Sequence, residues 1–254
     1  MKTSKTLALG AFLAASTLAQ AHVLIASDDF SYANGNLNAE NGGTGWANTW
    51  NANTAFESIS NGKLTFSGNN DSIATRTLSS TLTDKVIIDF TLSATGTLEN
   101  NDFLGFWINS ATGPNVGLKA NGGDGSTIND VFVRTSGTTS AFAGGSNFAT
   151  SPSKSYHVLA YLYKSSSSVN FDKFALWVDP TAAEMASLTG WDALYSANSG
   201  VSSFSNIGFR TVNIQSDDGV SVDNLRIQTV PEPASLALMG LSLLGMGLLR
   251  RRKI

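Results

Sequence analysis

The chain has 254 residues, enough for one large domain or two small ones, and only 14% of them are charged. It contains no cysteine, which excludes disulfides, thiolate metal sites and cysteine nucleophiles. A formal charge of -3 conceals basic ends on an acidic body, and such a body repels phosphate backbones, which argues against nucleic acid as a partner.

The first 21 residues, MKTSKTLALGAFLAASTLAQA, set Lys2 and Lys5 before an apolar run from Leu7 to Leu18. They close on Ala19-Gln20-Ala21. Basic start, apolar run and small-residue cleavage site, in that order, describe a secretory signal peptide. A signal helix over 1–21 is expected, with the exported chain starting near His22.

Residues 22–229 read as strands. In KVIIDFTLSA, Val86, Ile88, Phe90 and Leu92 fall on one face, with Ile87, Asp89 and Thr91 on the other, the alternation of a half-buried strand. DFLGFWIN is apolar on both faces, as a central strand between packed layers is, so Trp107 is expected to be buried. Further strands are predicted at GKLTFSG, SIATRTL, DVFVRT, SYHVLAYLY, NFDKFALWVD, FSNIGFRT and GVSVDNLRI, separated by turn-forming Gly, Asn, Asp and Ser. The one helical candidate is PTAAEMASL, opening on Pro180. In the last strand Val220 and Val222 share a face while Leu225 and Ile227 fall on the other. A bulge at Asp223-Asn224 resets the alternation and keeps Asp223 out of the core. Many strands with almost no helix predict an all-β fold, an antiparallel β-sandwich over 22–229.

The chain ends on VPEPASLALMGLSLLGMGLLRRRKI. Pro231 and Pro233 donate no backbone hydrogen bond and end the preceding fold. The uncharged run from Ala234 to Leu249 spans about 24 Å as a helix, a single short transmembrane segment. Arg250, Arg251, Arg252 and Lys253 then act as a basic stop on the cytoplasmic side.

Two resemblances follow from these residues. The ordered Val230, Pro231, Glu232, Pro233, apolar helix and basic end of residues 230–254 resemble the PEP-CTERM sorting signal of Gram-negative bacteria. That resemblance implies an exported protein, tethered to the inner membrane until an exosortase removes the tail. It also implies a place at the cell surface or outside it, beside exopolysaccharide or biofilm. DDFSYANGNLNAENGGTGWANTW, FALWVDPTAA and SVDNLRI resemble a concanavalin A-like, LamG-type jelly roll. This second resemblance implies two curved sheets, first and last strands side by side, and a concave face often used for glycans.

Catalytic patterns are sparse. His22 and His157 are the only histidines, and neither HExxH nor GxSxG occurs. No strand carries the alternating acidic run of jelly-roll glycosidases, so no catalytic residue is assigned and the chain reads as a non-enzyme. Two binding constellations remain. Asp28, with Asp217, Asp218 and Asp223 around the last strand, supplies hard oxygen ligands for calcium if those strands are neighbours; otherwise these residues solubilise loops, and no cofactor is certain. Trp46 and Trp50 in the first loop, and His157, Tyr161, Tyr163 and Trp177 on neighbouring strands, offer rings for stacking on sugars, or are core. The principal reading is a non-catalytic surface or matrix protein. A carbohydrate-binding module, with or without calcium, and a glycan-cleaving enzyme are the alternatives.

Overall fold

The structure, a computed structural model, describes residues 22–67, 71–96, 98–99, 101–123, 129–148, 153–215 and 218–231. The signal segment, Glu232, Pro233, the apolar run, the basic end and Asp217 lie outside them. In chain order the strands are β1 (Val23–Asp28), β2 (Gly35–Asn36), β3 (Glu57–Ser60), β4 (Lys63–Phe66) and β5 (Ser72–Leu82). Next come β6 (Val86–Thr95), β7 (Phe103–Ile108), β8 (Asn115–Lys119), β9 (Val131–Arg134) and β10 (Ala141–Phe142). The last five are β11 (Ser153–Tyr163), β12 (Lys173–Val178), β13 (Ala193–Ser196), β14 (Phe204–Val212) and β15 (Gly219–Thr229). Among the described residues no helix is long and apolar enough to cross a membrane.

The strands form two antiparallel sheets. A nine-stranded sheet runs β13-β12-β11-β6-β15-β4-β3-β2, with β1 also paired to β15. A six-stranded sheet runs β10-β9-β8-β7-β14-β5. First and last strands are thus neighbours, as the jelly-roll resemblance implied. The bulge explains how β15 serves three partners. Its register against β6 shifts between Asp223 and Arg226, and Asn224 takes a positive φ of 55°. Before the bulge β15 pairs with β4, and after it with β1. The shift turns Val220, Val222, Leu225 and Ile227 all into the core.

Between the sheets the alternating positions build one large core. Phe209 of β14 lies at its centre, with ring centroids 5.2 Å from Phe106, 5.7 Å from Phe66 and 6.1 Å from Trp50. β7 is buried on both faces, as its sequence predicted. Leu104, Phe106 and Ile108 enter this core, whereas Phe103 and Trp107 lie on the opposite face of the sheet.

A second, smaller cluster covers part of the other side of the nine-stranded sheet. Ile87, Leu159, Ala175 and Trp177 pack there beneath Met185 and Leu188 of the helical segment, with Val230 alongside. The helix, α1, spans Ala182–Ser187. It starts two residues after Pro180, where the sequence placed its opening, because Thr181 is the N-cap and forms a capping box with Glu184. Trp177 is therefore 1% exposed, its indole N–H donating to the Thr189 carbonyl at 3.1 Å. This corrects the expectation that it stacks on sugar: the helix occupies the place a ligand would need.

Candidate functional site

The first loop is built around Asp28, and its geometry corrects a second expectation. Asp28 is buried at the end of β1, and both its oxygens are engaged. Oδ1 accepts the Phe30 backbone N–H at 2.9 Å. Oδ2 accepts the Tyr32 hydroxyl at 2.7 Å, the Trp50 indole N–H at 2.8 Å and the Arg76 guanidinium at 2.6 Å. A carboxylate so filled, and already facing a buried cation, does not suit a calcium ion. Asp218 accepts from the Gln215 N–H and Asp223 from the Asn224 N–H, as loop-forming aspartates do. Among the described residues no three acidic or histidine side chains converge on a metal position. Trp50 is 1% exposed, and the Arg76 guanidinium lies 4.6 Å from the Trp46 ring centroid. Trp46 also donates its indole N–H to the Ser27 carbonyl. Both tryptophans thus serve the loop rather than a sugar.

On the outer side of the nine-stranded sheet, Tyr161 and Tyr163 stack at 4.7 Å and are half-buried. Burial pushes the Tyr161 hydroxyl up to about 12 and raises that of Tyr163. His157 on the same strand face bonds Asp89 at 2.8 Å, and that bond holds its pKa above the ordinary histidine value against the opposing effect of burial. Two side chains separate these tyrosines from a common flat platform: Leu159, between His157 and Tyr161, belongs to the small cluster under α1, as does Trp177. The structure brings His157, Tyr161 and Tyr163 to one face, and neither Trp46, Trp50 nor Trp177 joins them there.

Further along that face lies a groove of about 680 Å³. Its floor is a row of hydroxyl side chains in register across five strands: Ser58, Thr65, Ser221, Ser93 and Ser155. Ser58 bonds Thr65 and Ser93 bonds Ser155, both at 2.9 Å, so much of this polarity is internally paired.

The outer face of the six-stranded sheet is different in kind. Its middle is floored by Gly105, Gly117 and Gly208, and two rings lie across the glycines. A Cβ on Gly105 would stand 2.8 Å from the Phe103 ring, and one on Gly208 would stand 2.5 Å from the Trp107 ring. Glycine is thus required at both positions for the rings to lie flat. Phe132 joins Phe103 at 5.5 Å, with Phe142 beyond it at 6.0 Å. Burial grades across the face. At the β5 side Ile73 is 40% exposed and Asn206 is open, whereas Trp107 and Asn115 are buried.

Polar groups on this face are left over. Trp107, Asn115 and Arg134 stand in one row across β7, β8 and β9. Among the described residues the Trp107 indole N–H is buried without a hydrogen-bond partner, and so is the hydroxyl of Ser140, the residue before β10. Arg134 is 8% exposed. Its Nε donates to the Asn115 Oδ1 at 2.9 Å, and its guanidinium carbon sits 5.2 Å from both the Phe103 and Phe132 ring centroids. Burial, then the neighbouring Arg210, lower its pKa, though a guanidinium stays charged. The sequence pointed to none of these as ligand contacts. The signal it did carry was a lone arginine closing the apolar strand VFVR, and rings alternating with glycine in FLGFW.

Comparison with known proteins places this geometry. Residues 229–253 match the PEP-CTERM protein-sorting motif. No curated protein matches the chain. A structure from work on the endo-acting O-glycanases with which human gut bacteria initiate mucin breakdown aligns with a TM-score of 0.50 at 9% identity. The alignment covers 82% of this chain and 100% of that one. A glycosyl hydrolase family protein from Mycobacterium fortuitum aligns with a TM-score of 0.48 at 9% identity, over 80% and 99%. The carbohydrate-binding module CBM66 of Bacillus subtilis gives 0.41 at 13%, over 71% and 95%. The body is an antiparallel β-sandwich whose fold is similar to these, and it is followed by a PEP-CTERM sorting motif. At these identities the likeness speaks for the fold alone.

Proposed function

We propose that this is an exported, exosortase-processed protein whose sandwich binds glycan on the outer face of the six-stranded sheet. The observation that carries the reading is that face itself. Rings lie on a glycine floor beside a buried indole N–H that has no protein partner. Sugars present C–H faces to rings and hydroxyl oxygens to unpaired donors, so such a surface matches them on both counts. The indole N–H has no accessible surface of its own, so a ligand acceptor reaches it only when Trp107 turns outward from the glycine floor, and that contact removes the cost of an unpaired buried donor. The principal reading of the sequence, a non-catalytic surface or matrix protein beside exopolysaccharide, gives this face no role; the glycan-binding alternative does. Cleavage has less support, since the carboxyl group on this face, Asp71, is held by both ends of the Arg210 fork.

Titration of the purified protein with neutral and acidic oligosaccharides tests the binding. Thr75→Trp, at the half-buried rim beside Gly208, is expected to obstruct the face and abolish binding. Ser221→Trp, in the hydroxyl groove, is expected to leave it unchanged. The reverse pattern would move the site to the groove, and no binding by any glycan would overturn the reading. Sorting is tested separately. Mass spectrometry of the exported protein is expected to show loss of the apolar tail, and a Pro231→Ala, Pro233→Ala chain is expected to retain it after normal export. An identical C-terminus in both would refute processing at this motif.

A further inference from the structure

Three arginines are wholly or largely buried, and they are treated differently. Arg76 faces Asp28 at 2.6 Å. Arg210 holds Asp71 through two nitrogens, at 2.5 and 2.8 Å. Among the described residues, no carboxylate pairs with Arg134. Its Nε is spent on the neutral Asn115, and no described group accepts from its two terminal nitrogens. The nearest acidic side chain along its own strand, Asp130, is buried and gives its oxygens to the backbone N–H groups of Asn121 and Phe148. Arg210 adds repulsion, and Lys119 occupies the same outer face of β8 two positions beyond Gly117. In an otherwise acidic body, Arg134 is thus a buried cation set beside other basic side chains, Arg210 being paired with Asp71.

A cation removed from water is costly unless an anion meets it. The two rings flanking the guanidinium repay part of that cost through cation–π attraction. With Nε spent on Asn115, the two terminal nitrogens are left to meet an anion, and arginine pairs with a carboxylate through two such donors better than lysine does. Beside it, the enclosed Trp107 N–H and Ser140 hydroxyl are unpaired, and an outward turn of either side chain would present it to a sugar ring.

We infer that the glycan taken by this face is acidic, with a sugar carboxylate seated on the terminal nitrogens of Arg134. This rests on the glycan-binding reading of the face and adds the class of ligand. Inorganic anions share the charge but lack the hydroxyl groups through which a sugar meets the polar side chains of this face.

The test uses the purified full chain, a uronic-acid tetrasaccharide and its carboxyl-reduced, neutral counterpart. The uronate is expected to bind at least about tenfold more tightly than the reduced sugar, as loss of one charge-assisted pair implies. Affinity should also fall as salt rises. Arg134→Gln, which keeps a hydrogen-bonding side chain toward Asn115, is expected to erase the preference, and Arg134→Lys to restore part of it. Equal binding of both sugars by the unaltered protein would overturn the acidic assignment while leaving the glycan site in place. Binding of neither these nor any neutral glycan would overturn both readings. A preference that survives in Arg134→Gln, with cooperative unfolding retained, would place the carboxylate elsewhere and refute the pairing with Arg134.

Discussion

Replacing Asp28 with alanine is expected to cost about 3–5 kcal/mol of folding stability, the usual penalty for stripping one partner from a buried ion pair. The pair is unusually connected. Removing the carboxylate leaves the Arg76 guanidinium buried with carbonyl acceptors alone, those of Asn48 and Gly42, and the neutral side chain of Asn41. It also orphans the Trp50 indole, the Tyr32 hydroxyl and the Phe30 N–H. The loop from Phe30 to Trp50 loses its anchor to β1 and β5 at once. Asp28→Leu with Arg76→Met is expected to recover most of the loss, because no charge is then left unpaired. Urea unfolding measures both. A change within ~0.5 kcal/mol for Asp28→Ala would mean that the loop is held by other contacts. Addition of calcium is expected to leave the unfolding midpoint of the unaltered protein where it is.

The fold was more legible than the site, and for a physical reason. Alternation of apolar side chains is a local property of each strand, so β6, β7, β11 and β12 could be read from ten residues at a time. Even the bulge at Asp223-Asn224 was written into the parity of Val222 and Leu225. Which face of a strand becomes core is a property of the whole sandwich. Trp177 and Trp107 both sit in apolar strands, yet one lies under α1 and the other on the glycine floor of the opposite sheet. The aspartates show the same limit. Asp28 is close to the last strand, as expected, but an arginine 48 residues away claims its oxygens. No pattern within the first loop announces that pairing. Arg134 was invisible as a site because what distinguishes it is the lack of an acidic partner among the described residues, and that depends on which distant strands surround it.

Trp107 and Trp50 provide the sharpest test of that difference. Both rings are buried, so truncating Trp107 to alanine is expected to cost about 3–5 kcal/mol through lost packing and the cavity left behind. Phenylalanine separates packing from hydrogen bonding, since it removes the indole N–H and retains an aromatic ring. At Trp50 the lost donor leaves the Asp28 carboxylate one bond poorer, and hydrogen bonds to charged groups contribute about 1.5–3 kcal/mol. Asp28 keeps its other donors, so the lower end of that range applies. At Trp107 no protein bond is broken, because the indole N–H has no acceptor. Trp50→Phe is therefore expected to be about 1.5 kcal/mol more destabilising than Trp107→Phe in denaturant unfolding. Binding should respond in the opposite sense. Trp107→Phe is expected to weaken glycan affinity while the fold persists, whereas Trp50→Phe should leave the affinity of the remaining folded protein unchanged. If Trp107→Phe proves the more destabilising of the two and leaves affinity untouched, the indole N–H has a structural partner and the glycine-floored face is not where the sugar docks.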